Sequence, residues 1–143
     1  MLAQYRCEVF LALAGFGFAI VVLSPHYLKI QSAPNAKVFQ RRISQDRAAR
    51  VRWAAYFDLA FAVTYLTLAV TYLESGWLAT TGVVAVMIGA GYDEAENVQL
   101  LRAVSHLDRV TDESVKRMRS FGRRKWIGDG VGFTLIVLGC QLG

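Results

Sequence analysis

Four stretches of this chain are long and apolar enough to cross a bilayer, and three of them carry carboxylates inside the crossing. They run near Tyr5–Leu23, Trp53–Leu73, Trp77–Leu101 and Trp126–Leu142. About 20 apolar residues in a helix match the thickness of the hydrocarbon layer. The acidic residues are Asp58 in the second stretch, Asp93, Glu94 and Glu96 in the third, and Asp129 in the fourth. A charge at mid-helix costs about 2.5–3.5 kcal/mol on insertion scales, so each of these residues marks either a pairing partner or a site. The expected fold is all-α: a bundle of four transmembrane helices with helical extensions on the cytoplasmic side, forming one integral membrane domain over residues 1–143.

Composition agrees with that expectation. Hydrophobic residues make up 55% of the 143 residues and the mean hydropathy is +0.34. Four crossings and two medium loops use nearly all of the chain, which leaves no room for a separate soluble domain. The first stretch is long and aromatic and lacks a small-x-small cleavage site, so it reads as a retained helix rather than a signal peptide.

The basic residues decide the orientation. Of sixteen Lys and Arg, seven lie between the first and second stretches and eight between the third and fourth, leaving Arg6 elsewhere. The short link Glu74-Ser75-Gly76 has none. The positive-inside rule then puts both basic loops in the cytoplasm and both termini outside, as in a bacterial inner membrane. Basic residues beside membrane spans are topogenic before they are nucleic-acid ligands, and no aromatic-interleaved motif accompanies them, so nucleic acid is not an expected partner. The lipid bilayer is, together with a second copy of the chain or other membrane subunits. Cys7 and Cys140 fall at the outer ends of their helices. They read as small apolar residues, with a disulfide left open.

Local signals divide the chain further. Ser24-Pro25-His26 ends the first helix, because the residue before a proline leaves the helical region. His26 is then an interfacial residue within reach of the acidic rim. Residues 30–43 contain Pro34 and read as loop. Ser44 and Thr111 read as N-caps of the helices leading into the second and fourth stretches. Asp58 shares a face with Ala54, Ala62, Tyr65, Ala69 and Tyr72. Gly82, Val86, Gly89, Asp93, Glu96, Asn97 and Leu100 form one stripe of the third stretch, with Glu94 turned away from it. That third helix is expected to continue through Val104 and Leu107 to Val110.

Depth brings the acids together. Asp58 lies six residues from Arg52, Asp129 four from Lys125, Glu96 six from Arg102 and Asp93 nine. At 1.5 Å per residue all sit roughly 6–14 Å inside the cytoplasmic ends of their helices. Carboxylates at one level need protons or a counter-charge. Asp58, Asp93, Glu96, Asp129 and the Asn97 amide are hard oxygen ligands suited to Mg²⁺, Mn²⁺ or Ca²⁺. Arg50, Arg102, Arg123 and Arg124 are placed to supply counter-charge or to grip a phosphate headgroup. A salt-bridge network that only fixes helix register fits the same residues.

Asp58 together with Gly91-Tyr92-Asp93-Glu94-Ala95-Glu96-Asn97 resembles a pattern in small uncharacterised bacterial four-span proteins. Their third span carries an Asp-x-x-Glu-Asn element, matched here by Asp93, Glu96 and Asn97. The resemblance covers the motif and the general layout, and it implies no activity. The function these readings favour is a non-enzymatic cation-binding or accessory subunit of a membrane oligomer or complex. The alternatives are a divalent-metal enzyme acting on a lipid phosphate and a proton-coupled transporter.

Overall fold

The structure, a computed structural model, describes residues 15, 16, 18–20, 22–73 and 76–142, the last two of these by backbone alone. Cys7 and most of the first apolar stretch lie outside the described residues. Residues 15, 16, 18–20, 22 and 23 are helical. The elements that follow are α1 (Tyr27–Gln31), α2 (Ala36–Asp46), α3 (Ala48–Val70), α4 (Trp77–Ser105), a 3₁₀ turn (Leu107–Arg109) and α5 (Asp112–Leu142). Among the described residues there is no strand, so the protein is all-α.

Of residues 30–43 only 32–35, around Pro34, are non-helical; the rest is helix. Ala36, Phe39 and Ile43 recur at helical spacing, and Phe39 and Ile43 are buried. The N-terminus of α2 is capped twice: Asn35 Oδ1 accepts from the Val38 N–H at 2.9 Å, and Asp112 Oδ1 accepts from the Ala36 N–H at 2.7 Å. Each such cap satisfies an otherwise orphaned donor. Ser44 is consequently inside α2, where its hydroxyl donates to the Arg41 carbonyl at 2.7 Å. The chain breaks instead at Arg47, whose φ of 64° lies in the left-handed region. A non-glycine residue held there costs on the order of 1–3 kcal/mol. Thr111 does cap α5: its Oγ1 accepts from the Ser114 N–H at 3.2 Å while Ser114 Oγ accepts from the Thr111 N–H at 3.1 Å. α4 stops at Ser105, short of Val110, and the 3₁₀ turn makes the connection.

α4 and α5 pack antiparallel through small residues. Ala79 lies by Gly139, Gly82 by Gly132 and Gly89 by Asp129. A Cβ at Gly82 would stand 2.5 Å from the Gly132 carbonyl oxygen and 2.8 Å from the Ile136 nitrogen, so the backbones themselves are in contact there. This is the close helix approach that small residues permit. α3 lies alongside α4, and Tyr65 of α3 meets Phe133 of α5 edge-on at 6.2 Å.

Two apolar cores result. One joins Ala62, Tyr65, Ala69, Val83, Val86, Ala90 and Ile136 of the three long helices. The other holds α1 and α2 beneath the ends of the long helices, through Tyr27, Ile30, Phe39, Ile43, Leu100, Val104 and Met118 among others. The outward faces of the long helices are also apolar. Val63, Val84, Met87, Ile88, Ile127, Val131 and Val137 are exposed, as are Trp53, Trp77 and Trp126. By length and mean hydropathy one described helix, Ala48–Val70, is apolar enough on its own to cross a membrane. Charged residues interrupt the apolar runs of the other two: Asp93, Glu94 and Glu96 in α4, and Lys125 and Asp129 in α5.

Candidate functional site: a buried carboxylate–lysine network

Between the two cores lies a polar layer. Asp58, Asp93, Glu96, Asn97, Lys125 and Asp129 are all buried, with Asp93 and Asn97 fully so. The face of α3 through Ala54, Asp58, Ala62, Tyr65 and Ala69 is buried along its length, with Tyr72 half-buried at its end. The expected stripe of α4 from Gly82 to Leu100 is buried throughout, and Glu94 is exposed.

Asn97 is the hub of the layer. Its Nδ2 donates to Asp58 Oδ2 at 3.1 Å and to Asp93 Oδ1 at 3.1 Å, and its Oδ1 accepts from the Tyr27 hydroxyl at 2.8 Å. The same hydroxyl lies 3.2 Å from Asp58 Oδ2. Asp93 and Asn97 are four residues apart on α4, so their side chains stack on one face. α1 therefore contributes Tyr27 to a site otherwise built by the long helices.

The counter-charge is a lysine. Lys125 Nζ stands 2.5 Å from Asp93 Oδ1 and 3.9 Å from Asp58 Oδ2, with its side chain 10% exposed. Arg50, Arg102, Arg123 and Arg124 are all exposed. Arg124 lies over the Tyr92 ring at 5.5 Å instead of turning inward. Lys125, expected at the cytoplasmic edge four residues from Asp129, is itself inside the network. The signal was present in its four-residue spacing from Asp129, which sets both on one face of α5.

The remaining acids flank this pair. The Glu96 carboxylate lies against Gly122, where an added Cβ would stand 2.8 Å from its Oε1. Asp129 packs on Gly89. Among the described residues, the buried Asp93 Oδ2, Asp129 Oδ1 and Tyr65 Oη have no hydrogen-bond partner. Among the described residues a space of about 950 Å³ opens between α3 and α5, and Asp58, Lys125 and Asp129 line its polar end.

The expected divalent ligand set of Asp58, Asp93, Glu96, Asn97 and Asp129 lies in this one layer, with the Lys125 ammonium among its oxygens. Among the described residues no three His, Cys, Asp or Glu groups stand close enough to share a metal ion. The point between Asp58 and Asp93 is filled by an ammonium.

His26 belongs to a second cluster rather than to the acidic rim. Its Nδ1 lies 2.6 Å from Asp46 Oδ1, while Asp46 Oδ2 accepts from the Ser24 hydroxyl at 2.5 Å and from the His26 N–H at 3.1 Å. Burial raises the pKa of the Asp46 carboxyl, but the hydrogen bonds from Ser24 and His26 outweigh it and hold the group below the usual carboxylate range. The cluster ties the end of the N-terminal helical segment to the last turn of α2.

No family model, curated protein or solved structure matches this chain.

Proposed function

We propose that this chain is an integral membrane protein of four spans with both termini extracytoplasmic, and that the network at the inner end of its bundle is a monovalent-cation site. It works without catalysis, as an accessory subunit in a homo-oligomer or larger membrane complex of a bacterial inner membrane. The observation that carries the reading is the buried Lys125 ammonium held between Asp93 and Asp58 in a helix bundle whose outward faces are apolar. Helices that are apolar on both faces suit lipid on one side and neighbours on the other. From Trp77 to Asn97 is about 30 Å of helix, one hydrocarbon thickness, which sets the network just inside the inner edge. Exposed Trp53 and Trp126 fit an aromatic belt at that edge.

A single ammonium offsets one of four carboxyl groups, so the rest of the layer calls for protons or a second cation. Buried and unpartnered Asp93 Oδ2 and Asp129 Oδ1 are the atoms left to bind it. The core on the outer side is apolar, and the space between α3 and α5 continues along it past Leu68, Ile136 and Val137, a lining that offers an ion no ligands and favours a site reached from the inner side.

Chemical rescue tests the cation reading. Lys125→Ala leaves the carboxylates and a hole where the ammonium chain lay. Added propylammonium or butylammonium should raise the melting temperature of the purified variant with saturation, and Na⁺ or K⁺ at constant ionic strength should do the same for the wild type and not for Asp129→Asn, because binding to the folded state alone stabilises it by mass action. A variant that no alkylammonium stabilises would overturn the cation site. A wild type stabilised by Mg²⁺, Mn²⁺ or Ca²⁺ would return the site to divalent metals.

A further inference from the structure

The chain holds a second charged site, at the junction of α4 and α5, which the network does not use. A notch of about 430 Å³ opens there, and Arg102, His106, Arg109, Arg117 and Ser114 are among its lining residues. Three guanidinium groups share it with one carboxylate, that of Glu113. Glu113 Oε1 lies 3.7 Å from Arg117 Nη2 and Asp108 Oδ2 lies 3.9 Å from Arg109 Nε, both as exposed pairs of little energetic weight. Among the described residues Arg102 has no carboxylate within ion-pair distance. The fold puts these residues together for a reason unrelated to charge. α4 ends at Ser105, the 3₁₀ turn reverses the chain, and the Thr111–Ser114 capping box starts α5 beside the last turn of α4.

We propose that this notch binds a phosphate group, and that its source is the headgroup of an anionic phospholipid in the inner leaflet. The inference rests on the membrane reading above: if the hydrocarbon edge lies near Asn97, Arg102 stands about one and a half helical turns beyond it, at headgroup level. Guanidinium forks match phosphate oxygens in pairs, and basic pockets between helices on the cytoplasmic side suit anionic headgroups. The notch is not the extended basic stripe that would track a nucleic-acid backbone.

The test titrates full-length protein in neutral detergent with short-chain phosphatidylglycerol, with short-chain phosphatidylcholine or with inorganic phosphate, and follows the melting temperature. A saturable rise with phosphatidylglycerol and none with phosphatidylcholine is expected. R102Q/R109Q/R117Q should shift the midpoint at least about tenfold, the loss of several charge-assisted bonds. R41Q/R50Q/R119Q removes the same charge elsewhere on the exposed surface and should leave it in place. Glu113→Gln frees Arg117 and should tighten the midpoint, which keeps the test decisive if the triple variant folds poorly. Saturable stabilisation by inorganic phosphate alone supports the notch and assigns it a soluble phosphate. Equal losses in both triple variants, or no saturable rise with either phosphate source, overturn the proposal. Alkaline-carbonate extraction of the same chain from membranes tests the membrane reading separately: a chain released by carbonate that still binds phosphate fails that reading and keeps the notch.

Discussion

Replacing Lys125 by methionine removes the ammonium and keeps most of the side-chain volume. Its Nζ is 2.5 Å from Asp93 Oδ1 and 3.9 Å from Asp58 Oδ2, and both carboxyl groups are buried. Taking one partner from a buried pair costs about 3–5 kcal/mol, because the other charge is left without compensation. Asp93 bears most of that loss: its remaining donor is the Asn97 amide at 3.1 Å, and its Oδ2 has none. Asp93→Asn alone should cost a similar amount, since it strands the ammonium with Asp58 at the longer distance. The double variant, with both charges gone, should recover at least about 2 kcal/mol relative to the sum of the single changes, as expected for residues that interact directly. Reversible unfolding of the detergent-solubilised chain, followed by circular dichroism, measures all three. A Lys125→Met variant within about 1 kcal/mol of wild type, or a double variant whose loss is the plain sum, would refute the claim that this pair organises the bundle.

The Asp46 cluster should make stability pH-dependent on the acid side. The folded Asp46 pKa lies below its unfolded value, so the contribution is present above the ordinary carboxylate pKa of about 3.9 and is lost as pH falls through the lower folded value. Wild-type melting temperature should therefore fall below about pH 4 more steeply than that of Asp46→Asn. Parallel curves for the two proteins would rule Asp46 out as the cause. Glycine substitutions test the helix register. Gly82→Ala forces a methyl group into the Gly132 backbone and should cost roughly 1–3 kcal/mol. Gly130→Ala meets nothing within 4 Å and should be neutral or stabilising by about 0.5–1 kcal/mol, read from the same melting curves.

The sequence revealed one-helix geometry well and between-helix geometry poorly. Helical spacing alone identified the buried faces of α3 and α4, because a face follows from 3.6 residues per turn and needs no partner. It also separated Glu94 from Asp93. The choice of lysine over four arginines depends on how far α5 slides along α4, and nothing within either segment fixes that. The Gly82–Gly132 and Gly89–Asp129 contacts fix it, and they bring Lys125 to the level of Asp93. α2 was missed for a different reason. Residues 30–43 contain Pro34 and show no clear period as a whole, and the helical spacing of Ala36, Phe39 and Ile43 emerges only once the start after Pro34 is known. One of the caps that stabilises its first turn, Asp112, lies 76 residues away. His26 reads from sequence as an interfacial residue within reach of the acidic rim, and its partner Asp46, twenty residues on, becomes visible only when α2 folds back on the end of the N-terminal segment.

The network also accounts for the residue type at its centre. The oxygens facing Lys125 are few: Asp58 Oδ2 already accepts from the Asn97 amide and lies near the Tyr27 hydroxyl, and Asp93 Oδ1 already accepts from Asn97. An ammonium is a compact point charge with three rotatable donors, whereas a guanidinium presents five donors in a fixed plane and leaves any unmatched ones buried. A site with one close carboxylate oxygen and one more distant is therefore better met by lysine. The arginines of the same stretch, Arg123 and Arg124, stay at the surface, where Arg124 finds the face of Tyr92. The aliphatic stem of Lys125 crosses from helix backbone to carboxylate within one layer, and the Gly122 and Gly128 positions on either side let α4 come close enough for it to arrive. Charge, small residues and register are thus one constraint: without the glycine contacts the ammonium would not reach Asp93.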